Sequence, residues 1–272
     1  MCPIGVFDSG FGGLTILKSL RRALPGADFL YLGDNARAPY GTRSFELIYR
    51  FTLQAVRYLF GQGCPLVILA CNTASAKALR SIQQRDLAAI DPSRRVLGVI
   101  RPTVEAISGT TRTGAVGLFG TPGTIASGSY DIEIAKHAPG VNVYSHACPM
   151  WVPLVEYREA DGDGADYFVK KDIDALFTPH PDIDTLILGC THYPLLIDKI
   201  RRYVPEGVSI LSQGDIVAAS LVDYLRRHPD MDARISRSGS VRYLTTESTA
   251  KFDPLASEFM GTPVSATTVR LD

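Results

Sequence analysis

The sequence predicts an α/β protein built from two similar parallel-sheet domains related by a pseudo-twofold, with a site in the cleft between them. Three observations carry this. The chain has 272 residues, 46% hydrophobic and 21% charged, enough for packed cores and against a disordered or fibrous chain. Two pairs of segments repeat in the same order: Ile4-Gly5-Val6-Phe7-Asp8-Ser9 matches Val116-Gly117-Leu118-Phe119-Gly120-Thr121, and the stretch 66–73 matches 185–192. Nearly equal separations of the two pairs point to related halves. Each matching segment is also a continuous apolar run, the pattern of a strand covered on both faces by helices.

In chain order, the first run ends at Asp8-Ser9, and Gly10-Phe11-Gly12-Gly13 leads into Leu14, Leu17 and Leu20 at helical spacing. This is no dinucleotide fingerprint, because the third glycine position falls on Thr15 and Asp8 would repel a pyrophosphate. Ala38-Pro39-Tyr40-Gly41 has turn composition. After the second run, Asn72 and Thr73 are N-cap types ahead of an Ala-rich helix predicted to end near Ile82. In the second half, Thr121-Pro122-Gly123-Thr124 enters a helix at Ile125, and Thr191 precedes Pro194, which suits a first helical turn. Beyond Ile210 a helix is expected over 217–225, a strand over 241–244 and a helix over 252–259. This tail is expected to return to the first half. The predicted domains are therefore a discontinuous one, residues 1–98 plus 213–272, and a second of residues 99–212.

Composition narrows the partners. Lys plus Arg number 28 and Asp plus Glu number 28, a zero balance that argues against a protein coating nucleic acid or an anionic membrane. The longest apolar run, 65–71, is far short of the ~20 residues of a membrane span, and Asp8 interrupts any signal-type stretch. A cytoplasmic location is expected. Five cysteines, at 2, 64, 71, 148 and 190, include no CxxC pair, against a disulfide framework or zinc ribbon; no metal is expected.

Four strand-to-helix junctions carry Asp-Ser, Cys-Asn-Thr, Gly-Thr and Cys-Thr-His. In an open parallel sheet, ligands bind outside the carboxyl ends of the strands, where these residues fall. If the halves face each other, Cys71 and Cys190 face one cleft. A helix N-terminus is expected to lower a thiol pKa, leaving part of the population ionised. Two thiolates ~7 Å apart would repel by about 2.4 kcal/mol at an effective dielectric of 20, so one thiolate and one thiol is the favoured state. That pair can take a proton from one face of a carbon and deliver another to the opposite face. Cys2, Cys64 and Cys148 lack this context and read as packing. Asp8 fits an N-cap or a group that positions an ammonium or tunes a thiol; His192 and Glu156 fit structural or assisting roles.

Together, Phe7-Asp8-Ser9-Gly10-x-Gly12-Gly13-Leu14, Tyr31-Leu32-Gly33-Asp34, Pro39-Tyr40-Gly41, Cys71-Asn72-Thr73-Ala74 and Leu188-Gly189-Cys190-Thr191-His192-Tyr193-Pro194 resemble the glutamate racemases of the cofactor-independent aspartate/glutamate racemase superfamily. Ala147-Cys148-Pro149 and Val152-Pro153-Leu154-Val155-Glu156 also fit. Phe11, Asn35 and Ser212-Gln213-Gly214 depart from the usual pattern. The resemblance implies interconversion of L- and D-glutamate for peptidoglycan, without pyridoxal phosphate, other cofactor or metal. It implies that Cys71 deprotonates D-glutamate and Cys190 L-glutamate, with Asp8, His192 and Glu156 assisting. Substrate contacts are implied for Asp8, Ser9, Tyr40, Gly41, Asn72, Thr73, Thr121, Thr124, Thr191 and His192, and a homodimer is implied. A site split between two halves leads to an expectation of domain closure. The rival readings are racemisation of another small amino acid, a thiol hydrolase or transferase using His192 as base, and a binding protein with inert thiols.

Overall fold

The computed structural model describes residues 2–272. Ten strands form two sheets: β1 (Ile4–Asp8), β2 (Phe29–Gly33), β3 (Leu66–Leu69), β4 (Arg95–Gly98), β5 (Ala115–Gly120), β6 (Asn142–Ala147), β7 (Thr185–Gly189), β8 (Ser209–Leu211), β9 (Val241–Thr245) and β10 (Ala266–Thr268). The order is β10-β9-β2-β1-β3-β4 in one sheet and β6-β5-β7-β8 in the other, and all pairings are parallel. The block β2-β1-β3-β4 therefore recurs as β6-β5-β7-β8. The repeated segments, β1 with β5 and β3 with β7, occupy the same two central places.

Continuous apolar runs are used on both faces. Ile4, Val6, Leu66 and Ile68 point into one core of the first sheet, and Phe7, Val67 and Leu69 into the other. In the second sheet Phe119, Leu186 and Leu188 face one core while Val116, Leu118 and Ile187 face the opposite one. The chain crosses between sheets twice, from β4 into the helix Ile100–Ile107 and from β8 into the helix Gln213–Arg227. After the second crossing, β9 pairs with β2, Val241 opposite Phe29, and Val217, Leu221 and Leu225 join the core of the first sheet with Leu14, Leu17 and Leu20.

One helix runs past its expected end. The segment that begins at Asn72 continues through a wide turn, Ile82–Asp86, into Leu87–Ile90. Ile82 and Leu87 lie five residues apart, and the wider turn returns Leu87 and Ile90 to the same core as Ile82. A reading confined to spacings of three and four misses this stripe. Among the described residues no helix is long and apolar enough to cross a membrane.

Candidate active site

The carboxyl ends of the two sheets meet. Asp8 closes β1, Cys71 occupies the cap position before the helix Asn72–Lys77, Thr121 caps the helix Pro122–Ala126, and Cys190 follows β7 directly. Hydrogen bonds join them across the cleft. Thr73 Oγ1 lies 3.0 Å from Thr121 Oγ1 and 3.3 Å from Thr124 Oγ1, the Gly123 N–H donates to the Gly41 carbonyl at 2.7 Å, and the Thr191 hydroxyl donates to Asp8 at 3.3 Å. Cys71 is 5% exposed and Cys190 6%, so the cleft is shut.

The first thiol faces anionic company. Ser9 Oγ is 3.4 Å from Cys71 Sγ. Burial, reinforced by the Asp8 carboxylate, pushes the Cys71 thiol up to about 12, against the Ser9 hydroxyl and the Ala74 amide. The expected partial ionisation is therefore corrected for this residue: loss of water costs the thiolate more than a short helix start returns. Asp8 itself is wholly buried and shifted upward by that burial, with the His192 charge and the Gly10 and Gly13 amides pulling the other way.

The second thiol faces a cation. His192 Nδ1 lies 3.9 Å from Cys190 Sγ, and Nε2 lies 3.1 Å from Glu156 Oε1. Burial disfavours the imidazolium, but the Cys190 sulfur and the Glu156 carboxylate outweigh it and bring the histidine up to about 10. His192 is thus a protonated group aimed at one sulfur and held from behind by a carboxylate. The turn that permits this approach needs Gly12, because a Cβ there would lie 2.3 Å from Thr191 Oγ1 and 2.5 Å from His192 Nδ1.

These contacts bring together Asp8, Ser9, Gly41, Cys71, Thr73, Thr121, Thr124, Glu156, Cys190, Thr191 and His192, but two of the expected substrate-contact residues contribute differently. The buried Tyr40 hydroxyl donates to Asp34, and the Asn72 carboxamide is bonded to Gln213 and Tyr130; neither side chain's polar end is free. Asp34, which also pairs with Arg37 at 2.7 Å, is a supporting residue that the sequence reading placed within a motif but gave no role. Its signal was present, since it too follows a continuous apolar run, Phe29–Gly33. Gln213 carried no such signal. Cys64 is enclosed in the core of the first sheet. Cys148 packs in the second, near His146 and Asp172, a trio with donor atoms within 4.8 Å of one another.

This arrangement can be set beside known proteins. Residues 4–221 match the family model for Asp/Glu/hydantoin racemases. A glutamate racemase of a Ruegeria species is 43% identical over 267 residues, covering 94% of this chain and 96% of that protein. The crystal structure of a glutamate racemase isoform from Bacillus anthracis superposes with a TM-score of 0.90 at 36% identity, covering 99% of this chain and 98% of that one. That of Francisella tularensis glutamate racemase, in complex with D-glutamate, does so with a TM-score of 0.87 at 34% identity, covering 100% and 98%. With two α/β sheets meeting at paired thiols and with these likenesses spanning nearly its whole length, the chain is an isomerase that belongs to the Asp/Glu/hydantoin racemase family.

Proposed function

We propose that this racemase interconverts L- and D-glutamate by proton transfer at Cα between Cys71 and Cys190. The observation that carries the reading is the pair of buried sulfurs at repeated junctions of facing sheets, each with polar partners that packing alone does not require. Cys71 takes the proton from D-glutamate and Cys190 from L-glutamate, and the opposite thiol returns one to the other face of the planar intermediate. Asp8 receives the substrate ammonium; His192, held by Glu156, offsets the negative charge on the Cys190 side. Ser9, Gly41, Thr73, Thr121, Thr124 and Thr191 supply hydroxyls and main-chain groups for the carboxylates, while Asn72 and Tyr40 shape the walls. No cofactor or metal takes part.

An α-proton is a weak acid, and a placed proton-transfer group supplies about 10²- to 10⁴-fold. The rest comes from donors aimed at the developing charge in a water-excluded cleft. Substrate displaces the Thr73–Thr121 and Thr73–Thr124 contacts, so entry requires the halves to part, about units of residues 1–98 plus 213–272 and 99–212. We further infer a cytoplasmic homodimer whose D-glutamate is used in peptidoglycan.

In deuterated water either enantiomer should acquire deuterium at Cα as optical rotation decays. Racemisation at the wild-type rate by both Cys71→Ser and Cys190→Ser would remove the two-thiol assignment; a faster rate on aspartate would remove glutamate as the preferred substrate.

A further inference from the structure

We infer that Gln213 is a positioning residue for proton transfer at Cys71: its carboxamide locks Asn72, the neighbour of that thiol, to Tyr130 and Thr103 where the chain crosses between the two sheets. The inference rests on the two-thiol reading above and extends it to a residue outside the cleft.

The network is closed and directional. Gln213 Oε1 accepts from Asn72 Nδ2 at 2.5 Å. Gln213 Nε2 faces Tyr130 OH at 2.9 Å, Thr103 Oγ1 at 2.9 Å and Asn72 Oδ1 at 3.2 Å. Tyr130 spends its own proton on Asn72 Oδ1 at 2.8 Å, and Thr103 spends its proton on the Val99 carbonyl at 2.7 Å. Each hydroxyl can therefore only accept from Gln213, which sets the orientation of the glutamine amide and, through it, that of Asn72. Gln213, Asn72, Tyr130 and Thr103 are 2%, 2%, 1% and 0% exposed, so water does not replace a lost partner.

The placement gives this network its consequence. Val99 and Thr103 lie on the first crossing and Gln213 opens the helix of the second, while Tyr130 belongs to the helix Ser129–His137, packed on the second sheet. Asn72 shares a peptide bond with Cys71. A carboxamide held from both halves fixes the Cys71 peptide relative to the opposite sheet, and sub-ångström placement of the reacting groups governs the rate. Along the chain Cys190 is followed by Thr191 and His192, so the carboxamide pair joins the peptide of Cys71 directly, whereas Gln213 only lines a pocket beside Cys190.

The test is Gln213→Met, which keeps length and bulk and removes both polar ends. Racemisation has an equilibrium constant of one, so kcat/KM falls equally in both directions and rate alone cannot locate the damage. Primary isotope effects can. For Gln213→Met we expect kcat/KM to fall roughly tenfold to a hundredfold, the isotope effect with α-deuterated D-glutamate to rise, and that with α-deuterated L-glutamate to shrink, because transfer at Cys71 becomes the slower step. Tyr130→Phe, which loses a single hydroxyl, should shift both effects in the same senses by less, and serves alone if Gln213→Met does not fold. Isotope effects unchanged in both directions, or moved in the opposite senses, overturn the inference, since a smaller folded fraction alters neither. Wild-type enzyme showing no isotope effect with either enantiomer, together with an active Cys71→Ser variant, would instead overturn the two-thiol reading.

Discussion

The junctions at Cys71 and Cys190 begin from the same strand ends of the same repeated block and finish in opposite electrostatic settings. At Cys71 the neighbours are a serine hydroxyl and the buried Asp8 carboxylate, and the thiol is held up near 12. At Cys190 the neighbour is an imidazolium held by Glu156. The repeated block supplies two equivalent sulfur positions, and the flanking residues make them unequal. These surroundings keep the proton on Cys71 and set a cation beside the Cys190 sulfur. Under the two-thiol reading proposed above, unequal surroundings of this kind suit two groups that exchange the roles of acid and base.

The strongest way to break the comparison is to remove each sulfur. Cys71→Ser and Cys190→Ser should each lower racemisation by about 10²- to 10⁴-fold, read by circular dichroism of the substrate. Next comes the cation. At about 4 Å and an effective dielectric of 20, a unit charge contributes about 4 kcal/mol, and even half of that is ~30-fold at 1.36 kcal/mol per decade. His192→Asn should therefore slow turnover of both enantiomers by at least that factor and enlarge the isotope effect with α-deuterated L-glutamate; an unchanged isotope effect would leave the two junctions equivalent. Glu156→Gln, which only loosens the histidine, should cost about tenfold in kcat and lower the pH at which the alkaline limb of the rate profile begins.

Stability against pH sharpens the contrast further. His192 has a folded-state pKa of about 10, above its ordinary value of 6.5, so the folded protein holds the extra proton between them. Its contribution is complete below about pH 6.5 and is lost as pH rises through 10. Cys71 acts the same way in the window between 9 and 12. Melting temperature should accordingly decline from neutral to alkaline pH, and His192→Asn should flatten the portion below about pH 10. A decline of equal slope in that variant would mean that His192 is not charged in the fold. The smallest effect is a null: Cys2, exposed and remote, can become serine without change in rate or melting temperature.

Much of this was legible along the chain. Continuous apolar runs ended by polar residues located Asp8, Cys71, Thr121 and Cys190, because a doubly covered strand leaves only its ends for chemistry. The same rule applied to Phe29–Gly33 would have reached Asp34. Two features resisted it. The wide turn at 82–86 breaks the periodicity on which helix reading depends. The ionisation of Cys71 depended on burial that no local pattern encodes, and so the helix start looked more effective than it is.

By itself the sequence determined the repeat, the class of fold and the residue types at each strand end, since these follow from local periodicity and from the narrow choice of structures that bury a continuous apolar strand. Tertiary structure alone decided which charges meet which sulfur, and that Gln213 joins Asn72, Tyr130 and Thr103. Coulomb interaction, desolvation and hydrogen bonding depend on distance in space, and the groups concerned lie up to 183 residues apart in the chain.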